Sequence, residues 1–255
     1  MPSAGRGGLG HLMGLIAYNG VDAAAFAANR HLGDDALGAW RGAILRYLDP
    51  RPGLRLLDLG CGTGSWTRAF REWWPGVEVV AVEPSAAMRE RAVFEPVLAG
   101  DAASIPLADA SVDAVWLSTV VHHIPDLAAA AREIRRVLAP GGPVLIRSAF
   151  AGRPDGIGLF RYFPEAVAVL DRYPSVARVE EAFATAGFTT TDFAPVPQVT
   201  APSLADLATG LRREAHTPLQ LISDEAYAAG VARLRAAAET THGPAVDALD
   251  LLVLA

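Results

Sequence analysis

Three glycines at alternate positions, Gly60, Gly62 and Gly64, follow an acid, Asp58, in the stretch LLDLGCGTGSWTRAF from Leu56 to Phe70. An apolar run ends there and a helix-like pattern begins, so the glycines mark a strand-to-helix turn. Glycine at such a turn lets a ligand approach the backbone. Dinucleotide-binding turns read G-x-G-x-x-G, the third glycine allowing close helix–strand packing. Here that position is Ser65, and the third glycine comes one residue early, which disfavours an NAD oxidoreductase. The phosphate loop G-x-x-x-x-G-K-[ST] fails because the lysine is missing. The turn offers bare main chain with neither pyrophosphate pattern.

Other residues able to do chemistry stand at the ends of apolar runs. Glu83 closes VEVVAVE, Asp101 follows VLAG, and Ser118 closes VWLS. Each carboxylate has two oxygens able to accept hydrogen bonds. His122 and His123 follow the fourth run, and imidazole is the natural base near neutral pH. The plain alternative is that one packs under a lid and the other faces solvent. No further ligands cluster near them, so no metal site is expected. Cys61 is the single cysteine, which excludes an internal disulfide and fits a reducing compartment. There is no lysine, all 22 basic residues being arginine. Schiff-base, pyridoxal-phosphate, Walker-loop and protein-kinase chemistries all need one.

The elements that must position these residues follow from the pattern. Apolar runs at 54–59, 77–82, 97–99, 113–117 and 144–147 read as strands buried on both faces. Helical patterns at 65–74, 85–93 and 126–139 lie between them. This predicts an α/β fold: a doubly wound, mostly parallel seven-stranded sheet of Rossmann-like type, with a helical N-terminal region and a helical cap. Residues 1–34 are expected to form an N-terminal helical lid. Residues 35–255 form the main domain, with cap insertions at about 149–175 and 200–243. In the C-terminal part, helices are expected at 204–215 behind Ser203 and at 224–239 behind Ser223. Strands are expected at 189–196 and over the terminal ALDLLVLA. In the first insertion, Phe160, Tyr162 and Phe163 are candidates to wall a substrate pocket, and His216 in the second is a weaker one. Trp66, Trp73 and Trp74 are expected to pack the first helix on the sheet.

Taken together these motifs resemble the class I S-adenosylmethionine-dependent methyltransferases, in particular the ubiquinone/menaquinone biosynthesis-type small-molecule enzymes. LLDLGCGTG is similar to that family's first motif, VEVVAVEPS and GDAASIPLADASVDAVWLS to the next, and HHIPD and REIRRVLAPGG complete the run. The resemblance covers about 110 residues closely and implies S-adenosyl-L-methionine as cofactor. It places Asp58, Gly60, Cys61, Gly62 and Gly64 against the methionine and ribose. It puts Glu83 with Pro84 at the ribose hydroxyls, Asp101 with Ala102 at the adenine, and Ser118 nearby. Upstream, AYNGVDAAAFAANR resembles the segment that closes over the methionine end, implicating Tyr18 and Arg30. Asn19 and Phe26 depart from the pattern there.

The implied function is transfer of a methyl group to oxygen, nitrogen or carbon of a small, partly apolar metabolite in biosynthesis or secondary metabolism. The cofactor motifs fit equally a cyclase or isomerase that keeps the cofactor on the same fold, or a non-catalytic cofactor-binding partner. A net charge of −6 with 51% hydrophobic residues gives no basic footprint for nucleic acid, and no uncharged run is long enough to span a bilayer. A cytoplasmic monomer or homodimer is the expectation.

Overall fold

A computed structural model describes residues 34–255. The first helix, α1, runs Asp34–Ile44. Then follow β1 (Arg55–Leu59), α2 (Ser65–Trp73), β2 (Glu78–Glu83), α3 (Ala86–Arg89), β3 (Val97–Ala99), β4 (Ala114–Ser118), α4 (Leu127–Val137) and β5 (Val144–Ser148). The C-terminal part adds α5 (Val167–Leu170), α6 (Val176–Ala184), β6 (Thr190–Ala201), α7 (Leu204–Gly210), α8 (Thr217–Gln220), α9 (Asp224–Ala238) and β7 (Ala245–Leu254).

The seven strands lie in the order β3-β2-β1-β4-β5-β7-β6. β1 to β5 are parallel, and β7 runs antiparallel to both β5 and β6. The order reverses at β1, whose neighbours are β2 and β4. At such a switch point the connections leave in opposite directions and open a crevice beyond the strand ends.

Alternation along the strands explains why they read as uninterrupted apolar runs. Leu57, Leu59, Val115, Leu117, Val144, Ile146, Leu252 and Leu254 point to one face, against α4 and α6. Leu56, Ala114, Trp116, Leu145, Leu251 and Val253 point to the other, where α1 and α2 supply Trp40, Ile44 and Phe70. Both faces are covered, so no strand needs a polar side. Trp66 packs against Trp116 with ring centroids 4.9 Å apart, and Trp74 stacks on Phe70 at 5.8 Å. The tryptophans therefore seat α2 on the sheet.

Three elements differ from the sequence pattern. The helix expected at 204–215 ends at Gly210, where Leu211 turns to an extended conformation, and a separate 3-10 turn follows at Arg213–Ala215. The helix expected at 85–93 lasts only to Arg89, because Val93 N–H turns back to bond the Thr63 carbonyl at 2.8 Å. The strand expected at 189–196 continues to Ala201. Pro195 and Pro197 hid its length, but β6 is the sheet edge, where the missing N–H donors are tolerated.

The cap has its own core, built from Phe163, Leu170, Leu219 and Leu234 among others. Gly230 of α9 is its tightest point: an added Cβ would lie 2.1 Å from the Phe163 ring. Alanine normally favours a helix interior over glycine by about 1 kcal/mol, but overpacking costs about 1–3 kcal/mol. Gly230→Ala is therefore expected to lower the unfolding free energy, read by denaturant titration. Gly38→Ala on α1, with nothing within 4 Å of its Cβ, should leave it unchanged or raise it.

Candidate active site

The glycine turn sits at the switch point. Gly60, Gly62 and Gly64 have φ of 71°, 59° and 81°, a region that residues with a Cβ rarely enter. At Gly60 a Cβ would also come within 2.5 Å of Val120 Cγ2, in the loop after β4. The two loops flanking the crevice thus touch through the missing side chain. Gly60 N–H and Cys61 N–H both bond the Val82 carbonyl, at 2.8 and 3.1 Å, tying the turn to β2.

Glu83 completes that tie. Its Oε2 accepts from Gly62 N–H and its Oε1 from Ser85 N–H, both at 2.8 Å. The carboxylate is buried, which pushes its pKa up, and the two N–H donors and Arg89 pull it back. Each oxygen retains a lone pair for a ligand hydroxyl. Arg89 fixes the backbone on the other side, donating to the carbonyls of Glu83 and Pro84 at 2.7 Å.

Asp58 is almost fully buried and lines the crevice. It does not bond the loop amides. Its Oδ2 accepts from Thr67 Oγ1 at 2.6 Å, and ordering the loop falls to Glu83 instead. The reason is direction: Asp58 shares a face of β1 with Leu56 and so points toward α2, which carries Thr67. Burial pushes its pKa up to about 7; the Thr67 bond lowers it and the nearby Glu83 charge raises it further. Burial, with Asp58 and Glu83 beside it, also pushes the Cys61 thiol up, leaving it a small neutral side chain.

Beyond the turn a cavity of about 440 Å³ opens. Its near end is made by Asp58, Gly60, Cys61, Gly62, Trp66 and Ser118. His122 lines it, its ring stacked on Tyr173 with centroids 4.0 Å apart and planes 9° apart. His123 packs against His122 at 4.1 Å but does not line the cavity. The two rings touch across the 3-10 turn Val121–His123, their planes tilted 48° to each other. Of the expected substrate-facing residues, His216 lines the cavity, as does Phe160. Phe163 does not: it is fully buried in the cap core, stacked on Tyr227. Tyr162 packs on that same core, away from the cavity, and its carbonyl accepts from Arg233.

Asp101 is exposed and also off the cavity lining; its Oδ1 caps a turn by accepting from Ala103 N–H at 2.8 Å. Ala102 is half-buried beside it. Tyr18 and Arg30 lie outside the described residues. Among the described residues no group of three or more His, Cys, Asp or Glu could hold a metal ion, and no helix is long and apolar enough to cross a membrane.

The sequence reading overlooked three polar residues of the cavity wall, Arg147, Gln198 and Asp247. Arg147, at the end of β5, is buried, donates to Ser118 Oγ at 3.1 Å and Gln198 Oε1 at 2.7 Å, and lies over the Trp40 ring. Gln198 on β6 and Asp247 on β7 stand opposite each other across the strand pair. The available signal was a charge inside an apolar run, in VLIRS and again in AVDALDLLVL.

Replacing Glu83 by alanine removes two hydrogen bonds to a charged acceptor, each contributing about 1.5–3 kcal/mol. Glu83→Ala should therefore accelerate amide exchange at Gly62 and Ser85 and lower global stability by a few kcal/mol at most. Unchanged exchange at Gly62 would show that the turn holds itself.

Comparison with known proteins finds relatives in sequence and in fold. Residues 57–146 match the family described as "Methyltransferase domain". Malonyl-[acyl-carrier protein] O-methyltransferase of Serratia marcescens is 37% identical over 146 residues, covering 56% of this chain and 53% of that protein. Demethylmenaquinone methyltransferase of Corynebacterium kroppenstedtii is 39% identical over 111 residues, 42% of this chain and 47% of that protein. The chain thus spans about half the length of these curated relatives. A solved structure described as a methyltransferase from an antibiotic biosynthesis pathway of Anabaena variabilis shares the fold. Its TM-score is 0.66 at 21% identity, covering 88% of this chain and all of that one. The family match ends within β5, so the hairpin β6–β7 and the cap lie outside that match. Residues 57–146 are thus similar in sequence to the methyltransferase domain family, and the sheet shares the fold of that solved structure.

Proposed function

We propose that the protein transfers the methyl group of S-adenosyl-L-methionine to a small, partly apolar acceptor. The observation that carries this is one continuous cavity. It starts on the bare main chain of the glycine turn at the β1/β4 switch point and runs under the cap into an apolar chamber. A cofactor without phosphates fits the turn, which lacks both pyrophosphate patterns and is closed by an acid, Glu83, rather than by a cation.

In this reading the turn cradles the methionine and ribose, Glu83 accepts from the ribose hydroxyls, and Asp58 faces the methionine ammonium. Asp101 with Ala102 is assigned to the adenine, and Tyr18 and Arg30 to the methionine end. The bound cofactor supplies an activated methyl group on a sulfonium, so the chain need not generate an electrophile. What its residues contribute is alignment and exclusion of water. The cap walls Leu159, Phe160, Leu170 and Leu219 hold the acceptor dry. Where the acceptor must lose a proton, His122 stands on the cavity wall to take it.

Calorimetry against S-adenosylmethionine, S-adenosylhomocysteine and NAD tests the cofactor assignment. Both adenosyl ligands are expected to bind and NAD to give no heat; the reverse order overturns it. Turnover is read as S-adenosylhomocysteine released from phenolic, indolic and prenyl-type acceptors. Activity confined to tRNA would overturn the acceptor class.

The Asp58 carboxyl gives a pH signature. Its folded pKa near 7 lies above the ordinary value of 3.8, so ionising it costs stability as pH rises through that window. A cationic ammonium beside it favours the ionised form and pulls the pKa down. Binding therefore releases a proton, and affinity for S-adenosylhomocysteine should rise about tenfold from pH 6 to pH 8. Asp58→Asn should flatten this slope, measured by calorimetry in buffers of different ionisation enthalpy.

A further inference from the structure

We infer that Gln198 and Asp247 together recognise a hydroxyl group on the acceptor, so that the protein's substrates are hydroxylated, largely apolar molecules. This rests on the methyl-transfer reading above for what happens to the acceptor, but not for how the wall binds it.

The two residues are register partners on β6 and β7. Side chains of such partners share a face, with Cβ atoms about 4.5–5.5 Å apart. Both line the cavity. The orientation of the Gln198 amide is fixed by its neighbours: Oε1 accepts from Trp40 Nε1 at 2.8 Å and from Arg147 Nη2 at 2.7 Å. Two donors converging on one atom require that atom to be the oxygen. Nε2 is left as the amide's other face, and it bonds no described residue.

Asp247 is held the same way. Its Oδ1 accepts from Gly158 N–H at 2.8 Å, and Oδ2 bonds no described residue. Neither Nε2 nor Oδ2 is among the sealed polar atoms of the structure, so both remain open to the cavity. Burial pushes the Asp247 pKa above its ordinary value, against the opposing pull of the Gly158 N–H and the Arg147 charge.

A donor and an acceptor side by side on an apolar chamber select a group that both accepts and donates. A hydroxyl does both through one atom. An ether or ketone leaves Asp247 unmet, and a carboxylate is repelled by it. An ammonium satisfies Asp247 but sets its charge beside Arg147 and turns donors toward the Gln198 amide. Leu159, Phe160, Leu170, Leu211 and Leu249 supply the remaining, apolar surface. A site that hydrogen-bonds a hydroxyl discriminates strongly against analogues that lack one, because its own polar atoms are then stranded.

The probes are 2-naphthol and 2-methoxynaphthalene, titrated by ligand-observed NMR with and without saturating S-adenosylhomocysteine. Wild type is expected to bind 2-naphthol at least about tenfold more tightly than its ether. In Asp247→Asn, Oδ1 still takes the Gly158 N–H while Nδ2 now presents a donor. The preference should vanish or invert, with S-adenosylhomocysteine affinity and melting temperature retained. Equal affinities in wild type, no binding of either probe, or a preference that survives Asp247→Asn overturns the inference. Should Asp247→Asn fail to fold, Asp247→Ser and the wild-type preference still decide it. Failure of S-adenosylhomocysteine to bind wild type would instead sink the methyl-transfer reading, leaving the naphthol comparison to be read without cofactor.

Discussion

The hydrogen bond from Gly62 N–H to the Glu83 carboxylate joins the two halves of the crevice at the switch point. The turn after β1 has almost no side chains with which to hold itself, since three of its residues are glycines in left-handed conformations. It takes its shape from β2 instead: from the Val82 carbonyl through two amides and from Glu83 through a third. The same acid that suits a ribose is therefore also the clasp of the loop. A charge in this position stabilises the turn only while it stays ionised and hydrogen-bonded, because an unpaired buried carboxylate is costly.

A second constraint comes from the sheet. Because the strand order reverses at β1, the crevice forms there and nowhere else along the parallel strands. Burial on both faces then limits where polar chemistry can appear. Asp58, Glu83, Ser118, Arg147 and Ser148 lie at or near the carboxyl ends of their strands. Asp247 approaches the same end from the opposite direction, because β7 is antiparallel. The apolar interior is thus a scaffold, and its rim carries the reactive groups.

This division explains what was legible in the sequence. Buried parallel strands and the glycine turn announce themselves through local pattern, and β3 is placed to the residue. So are the caps Ser203 and Ser223, each accepting from an amide three residues on. The cap resisted reading for a physical reason. Its short helices are held by contacts distant in the chain, such as Phe163 against Gly230, and short helices carry little periodic signal. Tyr162 and Phe163 looked like pocket walls because aromatic residues suit both a pocket and a core; only packing tells the two apart. Arg147, Gln198 and Asp247 come together from three strands, and nothing local to any of them points at the other two.

The hairpin β6–β7 is joined to the parallel sheet along one seam, β7 against β5, and is pinned by Arg153, whose guanidinium grips Asp250 through two nitrogens. The glycine turn, Glu83 and Asp101 all precede that seam, whereas Gln198 and Asp247 follow it. Substitutions on the hairpin can reshape the cavity wall without touching the glycine turn or Glu83. One wall of the chamber can thus be rebuilt from the hairpin alone while the parallel strands and their loops keep their places.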